Sequence, residues 1–428
     1  MKRRPSVLII FLTVFIDLIG FGIVVPLLPI YSKHYGASGL MLGIIGASFS
    51  AMQFFFSPIW GRLSDRYGRR PILLISTAGA ALSYVLFALA SGITDHTTAL
   101  WGLLLSRAFA GLCGGNITVA QAYIADITPP QDRSKKMGLI GMAFGLGFIF
   151  GPVISSIALK FLGNTGPGWI AAGLCAANFL LALSILAESR KPNSEQIKPR
   201  PRLAQWGHTL GQPKVGLLIG IFFLATFCFS CFEITLPLLI NDNFHLGIAS
   251  DATRPASTVI SLFVFCGLIG AFIQGGAIGR LVKKFGEPKL IAISLFMTGA
   301  SFLLLPFIKG EGQLFWSKLF QANGVPWLKM LFALALLAIG SSLTRPPVFG
   351  LLSNLASPEE QGATIGVAQS AGSLARILGP LFAATVYTTH PSTPYLVCGV
   401  IAILTAAVAS QRLHGVRVMA AATPTPAA

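Results

Sequence analysis

Five charged residues lie within long apolar segments of this sequence, and their types suit proton exchange or anion binding. A charge at the centre of an apolar layer costs at least ~2.5–3.5 kcal/mol on insertion scales, so each residue needs a partner or contact with water. The acids could take up and release protons, whereas the arginines could bind an anion or pair with an acid. The five residues are Asp17, Arg107, Glu233, Arg345 and Arg376.

The two acids are candidate proton carriers. Asp17 lies ten residues into the first apolar segment, roughly 15 Å along a helix that rises about 1.5 Å per residue. Glu233 lies in the seventh segment, nearer one end. A low dielectric favours the neutral carboxyl group, which brings a buried acid toward a range where it can exchange protons. The alternative is a structural ion pair of Asp17 with Arg107 or Arg376.

The remaining polar residues of the apolar segments are candidates for substrate binding. Arg345 and Arg376 could hold an anionic or zwitterionic substrate, or one of them could pair with Glu233. Amide side chains in the same segments could line a cavity, although periodicity does not show which of them face it. These amides are Gln53, Asn116, Gln121, Asn178, Gln274 and Gln369.

Metal or redox chemistry is not expected. Cys228 and Cys231 form a C-x-x-C pair, but no second pair and no histidine cluster accompanies it. All six cysteines fall in apolar segments, and the six histidines fall in loops or tails. We therefore interpret the cysteines as small apolar helix residues and expect neither a metal nor a cofactor.

The composition indicates a membrane protein. Of the 428 residues, 54% are hydrophobic and 11% charged, an apolar fraction that soluble proteins rarely reach. Apolar runs of about 18 residues or more recur along the chain, each long enough to cross a bilayer as a helix. The sequence predicts an all-α polytopic protein with twelve transmembrane helices near 7–30, 39–60, 71–92, 99–124, 137–161, 168–187, 215–240, 257–281, 289–308, 327–354, 361–388 and 393–411.

The positive charge follows the predicted topology. The formal net charge is +17, and most lysines and arginines fall in every second connection between helices. The positive-inside rule places these connections and both termini in the cytoplasm. Topology therefore accounts for the charge, and we expect no nucleic-acid partner. The expected location is a cell membrane, the inner membrane in a bacterium.

The two halves of the chain repeat each other. GRLSDRYG at residue 61 returns as GRLVKKFG at residue 279, in the loop after the second helix of each half. The sequence predicts two pseudo-symmetric six-helix bundles with a site between them, as in one large class of transporters. The predicted domains are a first bundle at 1–187, a cytoplasmic linker at 188–214, a second bundle at 215–411 and a cytoplasmic tail at 412–428.

Four motifs of the first half resemble those of the major facilitator superfamily, and in particular its twelve-span drug/proton antiporters of the tetracycline-exporter branch. GRLSDRYGRRP (61–71) is similar to the superfamily's loop motif, and DLIGFGIVVPLLP (17–29) to the first helix of drug exporters. LSRAFAGLCGG (105–115) resembles the fourth-helix arginine motif, and GLGFIFGP (145–152) the fifth-helix antiporter motif. The resemblance covers about residues 7–410.

The resemblance implies roles for individual residues. Asp65, Arg69 and Asp126 would form an ion-paired latch that closes the cytoplasmic side, and Arg107 would act with Asp17 and Glu233 in proton coupling. A simpler interpretation is that the loop arginines only fix the topology. The other residues assigned to the gate are Gly61, Arg66, Gly68 and Arg70, and those assigned to the antiporter motif are Gly147, Gly151 and Pro152. Small-residue packing alone is the alternative for the last three.

The expected function is export of small amphipathic compounds, such as drugs, in exchange for protons. The proton gradient supplies the energy, the partners are the substrate, protons and the bilayer, and a single chain should suffice. Ser83, Thr298 and Gly270 stand where tetracycline exporters carry acids and a histidine, which leaves the substrate open. The alternative is a facilitator or proton symporter of an endogenous metabolite. No pattern favours an enzyme.

Overall fold

The computed structural model describes residues 5–190, 202–246, 253–321 and 324–413. Parts of the predicted linker (191–201) and of the predicted tail (414–428) lie outside these ranges. Within them the regular structure is helical, as predicted. The first half contains α1 Val7–Val24, α2 Leu28–His34, α3 Gly39–Tyr67, α4 Arg69–Ala90, α5 His96–Cys113, α6 Asn116–Ile127, α7 Arg133–Leu162 and α8 Gly166–Ile185.

The second half begins after a short helix within the linker. That linker helix is α9, Arg202–Gly211. The helices of the second half are α10 Pro213–Phe244, α11 Thr253–Phe272, α12 Ile278–Phe285, α13 Glu287–Leu304, α14 Val325–Leu355, α15 Gln361–Tyr387 and α16 Thr393–Arg412.

Eleven helical segments of the described chain are long and apolar enough to cross a membrane. Helix α15 is not among them, although the sequence predicts a span there. Its first four turns are buried almost without interruption and carry Thr364, Gln369, Ser370 and Ser373. These polar residues lower its hydropathy, but neighbouring helices cover them, so the first half of α15 is interior to the bundle.

The predicted fourth span is broken into α5 and α6 at Gly114 and Gly115. The break frees backbone carbonyl groups that a continuous helix would use, and in an apolar environment these need other donors. Trp60 Nε1 donates to the carbonyl of Leu112 at 2.6 Å, and Ser76 Oγ donates to that of Cys113 at 2.5 Å. Side chains of α3 and α4 therefore stabilise the interruption.

The two halves meet at one end of the molecule and separate at the other. One apolar core contains residues of both halves, among them Ile72, Tyr123, Phe349 and Ile365. At the opposite end the first half has its own core around Ile23 and the second half another around Phe244. We call the joined end, which contains Arg69, Arg133 and the start of α15, the basic end.

Candidate functional site

Arg69 is the centre of an ion-paired cluster at the basic end. Its side chain is completely buried, and its Nη1 donates to Asp65 Oδ1 at 2.6 Å and to Ser64 Oγ at 2.7 Å. Its Nε donates to Asp126 Oδ2 at 3.0 Å. The contact predicted among Asp65, Arg69 and Asp126 is therefore present, and it links α3, α4 and α6.

The same Asp65 carboxylate binds the other half of the molecule. Asp65 Oδ1 accepts from the backbone N–H of Gly362 at 3.0 Å, and Oδ2 accepts from that of Ala363 at 2.7 Å. Both residues lie in the first turn of α15, where N–H groups have no partner within the helix and the helix dipole favours negative charge. One buried carboxylate thus joins the two halves.

Glycines allow the backbones of α3 and α15 to touch beside this carboxylate. A Cβ atom on Gly362 would lie 2.5 Å from the carbonyl oxygen of Gly61, and one on Gly366 would lie 2.7 Å from that of Ser57. A Cβ atom on Gly61 would collide with the Gly362 carbonyl. Any larger residue at these positions would hold the two helices apart.

The turn between α3 and α4 needs the second glycine of the loop motif. Gly68 has a φ of +98°, which residues with a side chain rarely adopt. Glu188 lies against it, and its carboxylate accepts from the backbone N–H groups of Arg69 at 2.9 Å and Arg70 at 3.0 Å. Glu188 therefore caps the start of α4.

Two of the loop arginines assigned to the gate lie apart from the ion-paired cluster. Arg66 is exposed and stacks on Tyr67 at 5.2 Å. Arg70 donates to two carbonyl groups at the end of α8. Arg190 joins instead, because its Nη1 lies 3.3 Å from Asp65 Oδ1.

Sequence reasoning assigned no role to residues 188–190, which fall at the start of the predicted linker. Besides Glu188 and Arg190, Ser189 Oγ donates to Asp126 Oδ2 at 2.9 Å. These three residues are bound to the first half. An acid directly after the last apolar residue of the sixth span was the available signal.

A second set of polar contacts joins the halves at the basic end. Arg133 Nη1 donates to the carbonyl of Ser353 at 2.6 Å and to Asn354 Oδ1 at 3.0 Å. Nearby, Ser134 Oγ donates to Glu287 Oε1 at 3.1 Å. These bonds connect the start of α7 with the end of α14 and the start of α13, so the closed end is held at two places.

The linker helix α9 lies along the seam between α3 and α15. Trp206 packs against Phe54 with ring centroids 5.7 Å apart. His208 Nε2 lies 3.4 Å from Glu360 Oε2, at the residue that precedes α15. Because the Phe54 carbonyl also accepts from Ser370 Oγ of α15, the linker helix covers a point where the two halves are already bonded.

Asp17 is held by amides rather than by an arginine. Asn116 Nδ2 donates to its Oδ2 and Asn178 Nδ2 to its Oδ1, both at 2.8 Å. Asn178 also donates to the carbonyl of Thr13 at 2.8 Å. Among the described residues, no ion pair joins Asp17 to an arginine. The structural alternative of a pair with Arg107 or Arg376 is therefore not what this conformation contains.

Arg107 is buried against two aromatic rings near Asp17. Its guanidinium carbon lies 4.9 Å from the ring centre of Phe49 and 5.5 Å from that of Phe21. In the described part of the chain, its Nε has no hydrogen-bond partner. The arginine is thus stabilised by ring faces and keeps unused donor capacity.

Helix α1, which carries Asp17, packs closely on the glycines assigned to the antiporter motif. A Cβ atom on Gly147 would lie 2.7 Å from the carbonyl oxygen of Leu18, and one on Gly151 would lie within 2.6 Å of backbone atoms of Gly22. Pro152 follows within α7. Small residues therefore let the two helices approach one turn from the acid.

The other predicted binding residues lie where the two halves face each other. Arg376 Nη2 donates to Gln53 Oε1 at 2.6 Å, and Gln369 Nε2 donates to Gln121 Oε1 at 2.8 Å. Each of these bonds joins α15 to the first half. They form a polar layer between the basic end and the parted end.

Glu233 lies close to this layer. Its side chain is exposed at the surface of the helix bundle and close enough to Arg376 for their charges to attract. Because Arg376 is bonded to Gln53 of the other half, this interaction places Glu233 near the contact between the two halves.

Gln274 has a structural contact in this conformation. It lies in a π-helical turn between α11 and α12, and its Nε2 donates to the carbonyl of Ser342 at 3.1 Å. Pro346 has no N–H to offer that carbonyl, so Gln274 supplies the missing donor. The amide therefore ties α11 to α14.

Comparison with known proteins agrees with this architecture. A model of the Major Facilitator Superfamily matches residues 10–320 and 277–414. The tetracycline resistance protein, class E, of Escherichia coli is 32% identical over 395 residues, which cover 91% of this chain and 89% of that protein. Major facilitator superfamily domain-containing protein 10 of Homo sapiens is 28% identical, covering 90% of this chain and 88% of that protein.

A solved structure is similar over almost the whole length. The crystal structure of the human organic anion transporter MFSD10 (TETRAN) matches with a TM-score of 0.76 and 25% sequence identity. The match covers 94% of this chain and 98% of that chain.

Proposed function

The chain belongs to the major facilitator superfamily, and from this premise we propose that it exports small amphipathic compounds in exchange for protons. Membership in this family makes it a multi-pass membrane transporter and not an enzyme. The direction of transport, the coupled ion and the substrate are the proposed elements. Similarity to tetracycline resistance proteins supports export.

The arrangement around Asp17 carries the proposal. The carboxyl group is 4% exposed and binds two amide N–H groups without a cationic partner among the described residues. An acid without a countercharge in an apolar layer can be neutralised by one proton. Protonation would convert one oxygen of the Asp17 carboxylate into a donor, so the amide bound to that oxygen would lose its acceptor. The positions of Asn116 and Asn178 would then depend on whether Asp17 is charged.

The conformation supports a position for this event in the proposed transport cycle. The basic end is closed, and the cores of the two halves are separate at the opposite end. If the basic end faces the cytoplasm, as the positive-inside rule predicts, Asp17 would receive its proton from outside in this state. A membrane potential would supply about 2.3 kcal/mol per charge for each 100 mV.

The test is transport into inverted membrane vesicles with and without an imposed pH gradient. We expect gradient-driven uptake of a compound such as tetracycline by the wild type. In Asp17→Asn, the stimulation of uptake by the pH gradient should fall at least tenfold, because an amide group does not take up a proton at the pH of the assay. Asp95→Asn, at an exposed acid that caps α5, is the matched control. If the rate of uptake is the same with and without the pH gradient in all three proteins, the proposal of proton exchange is overturned.

A second candidate is transport of organic anions, either with protons or by facilitated diffusion. Three arginines and only two acids lie within the apolar spans, which leaves an excess of positive charge within the spans. The human structural relative is named an organic anion transporter. In the same vesicles, the pH gradient drives protons outward. Uptake that this gradient slows would support co-transport of an organic anion with protons over exchange.

A further inference from the structure

We propose that Arg345 and the three phenylalanines around it bind the negatively charged group of the transported compound. The expected ligand is a monocarboxylate with an aromatic or similarly apolar body. The inference rests on the proposed function only in requiring a transported substrate, and it does not depend on the direction of proton coupling.

Three phenylalanine rings form a cage around the Arg345 guanidinium group, and this cage contains no hydrogen-bond acceptor. The guanidinium carbon of Arg345 lies 5.0 Å from the ring centre of Phe144, 5.7 Å from that of Phe349 and 5.8 Å from that of Phe222. Its Nε has no hydrogen-bond partner in the described part of the chain. Ring faces attract a cation, but an unpaired buried donor still costs ~1–3 kcal/mol. An acceptor is therefore missing from this site.

The surrounding charges select for an anion. Arg376 lies close enough to Arg345 for the two charges to repel each other. Arg376 has Gln53, Ser373 and the attraction of Glu233. Within the described residues, no ion pair reaches Arg345. A cationic compound would be repelled here, whereas a carboxylate would supply the absent countercharge.

The shape of the site favours a flat carboxylate on an apolar body. A guanidinium group binds a carboxylate through two parallel hydrogen bonds. Phe222 and Phe349 are buried and stand nearly perpendicular, with ring centres 4.9 Å apart, so the surroundings of the charge are aromatic.

The position of the cage couples binding to the conformational cycle. Phe144 belongs to α7 of the first half, whereas Arg345 and Phe349 belong to α14 of the second half. A ligand in this cage therefore contacts both halves. Its affinity depends on their relative position, as alternating access requires.

Equilibrium binding to the purified full chain, measured by titration calorimetry at one fixed pH, tests the inference. The probes are hippurate, salicylate and indole-3-acetate, each paired with its neutral amide. We expect the wild type to bind the carboxylates at least tenfold more tightly than the amides. Arg345→Gln should lose this preference, and Lys329→Gln, which removes an exposed charge from the same helix, should keep it.

A folded-state check and a second variant keep the result interpretable. Arg345→Gln should melt at or above the wild-type temperature, because it removes an unpaired charge. Phe144→Ala retains the arginine and opens the cage, so it should weaken all three carboxylates several-fold. The inference is overturned if no carboxylate binds the wild type at millimolar concentration, if the amides bind equally well, or if Arg345→Gln binds like the wild type.

The two proposals fail separately. Loss of gradient dependence in the vesicle assay, with carboxylate binding still dependent on Arg345, would overturn proton coupling alone. Gradient-driven transport of a neutral or cationic compound at the same rate by the wild type and by Arg345→Gln would overturn the anion-binding role of Arg345 alone.

Discussion

The Asp65 carboxylate makes two sets of contacts, one within the first half and one with the second half. Its Oδ1 accepts from Arg69 within the first half, and both of its oxygens accept from the first turn of α15 in the second half. The intra-half bond can persist when the halves separate, whereas the bonds to α15 cannot. Asp65 therefore distinguishes the closed basic end from any state in which that end is open.

We expect Asp65→Asn to shift the conformational equilibrium away from the closed basic end. One terminal atom of asparagine can only donate, so one N–H group of α15 loses its acceptor. The cost of ~1–3 kcal/mol corresponds to a population shift of about 5- to 150-fold. Double electron–electron resonance between spin labels at positions 164 and 311, after replacement of the native cysteines, should show a growing population of shorter distances at the opposite end.

Asp95→Asn is the control for this measurement, because Asp95 is exposed and remote from the basic end. Distance distributions that are identical for Asp65→Asn and the wild type would show that the bonds to α15 do not hold the closed state.

At the residue scale, the sequence predicted the partners that lie close together in a motif. Asp65 and Arg69 are four residues apart in one motif, at the end of α3 and the start of α4, and the resemblance to the superfamily predicted their contact. The amides that bind Asp17 come from positions 116 and 178, and their identity depends on how α6 and α8 pack against α1. Side-chain type marked Asn116 and Asn178 as candidates, but only the fold assigns them to that acid.

At the scale of the elements, the contact between α1 and α7 depends on glycine. The Cα of Gly22 would lie 2.6 Å from a Cβ atom on Gly151, so the two backbones are in direct contact beside the helix turn that carries Asp17. Movement of α1 on protonation would therefore be passed to α7 without intervening side chains.

Gly151→Val should destabilise the protein by ~1–3 kcal/mol through overpacking of this contact. Gly173→Val is a matched control, since Gly173 is also within a helix and a Cβ atom at that position would have no neighbour within 4 Å. Thermal unfolding of the purified chain should give a lower midpoint for the first variant than for the second. Equal midpoints would mean that α1 and α7 separate easily.

The positions of the spans followed from hydropathy, but their interruptions did not. The first, fourth and eighth predicted spans are each divided in the structure. The break in the fourth span depends on donors from other helices, Trp60 and Ser76, at the end of α5. A local hydropathy pattern contains no information on such donors. Helix α15 shows the converse, because it reads as polar and is nevertheless interior.

At the scale of the whole molecule, the internal repeat predicted two bundles but not which end is closed. At the closed end, the contacts made by the two copies of the loop motif differ. Lys283 stands in the second copy where Asp65 stands in the first, so no carboxylate at that position binds backbone N–H groups of a helix start, and Glu287 after the loop accepts from the Ser134 side chain instead. The conformation described here is thus stabilised by the part of the repeat that is not symmetric.

The orientation of the molecule in the membrane is open to direct measurement. We expect the basic end to face the cytoplasm, because the lysines and arginines concentrate there. A cysteine at Lys135 should react with an impermeant maleimide in inverted vesicles, and one at Asn164 should not. Both positions are exposed, and the native cysteines are replaced beforehand. The reverse pattern of labelling would invert the proposed direction of transport.

The backbone contact of Gly61 with Gly362 offers a way to capture the state that is absent here. A side chain at either position has no room while the basic end is closed. Once the halves separate, the same side chain no longer collides with the opposite backbone. A bulky residue there would act as a wedge that penalises one conformation and spares the other. Substitution of the glycines at this seam could therefore isolate the form in which the basic end is open, and that form would show the route from the polar layer to the basic end.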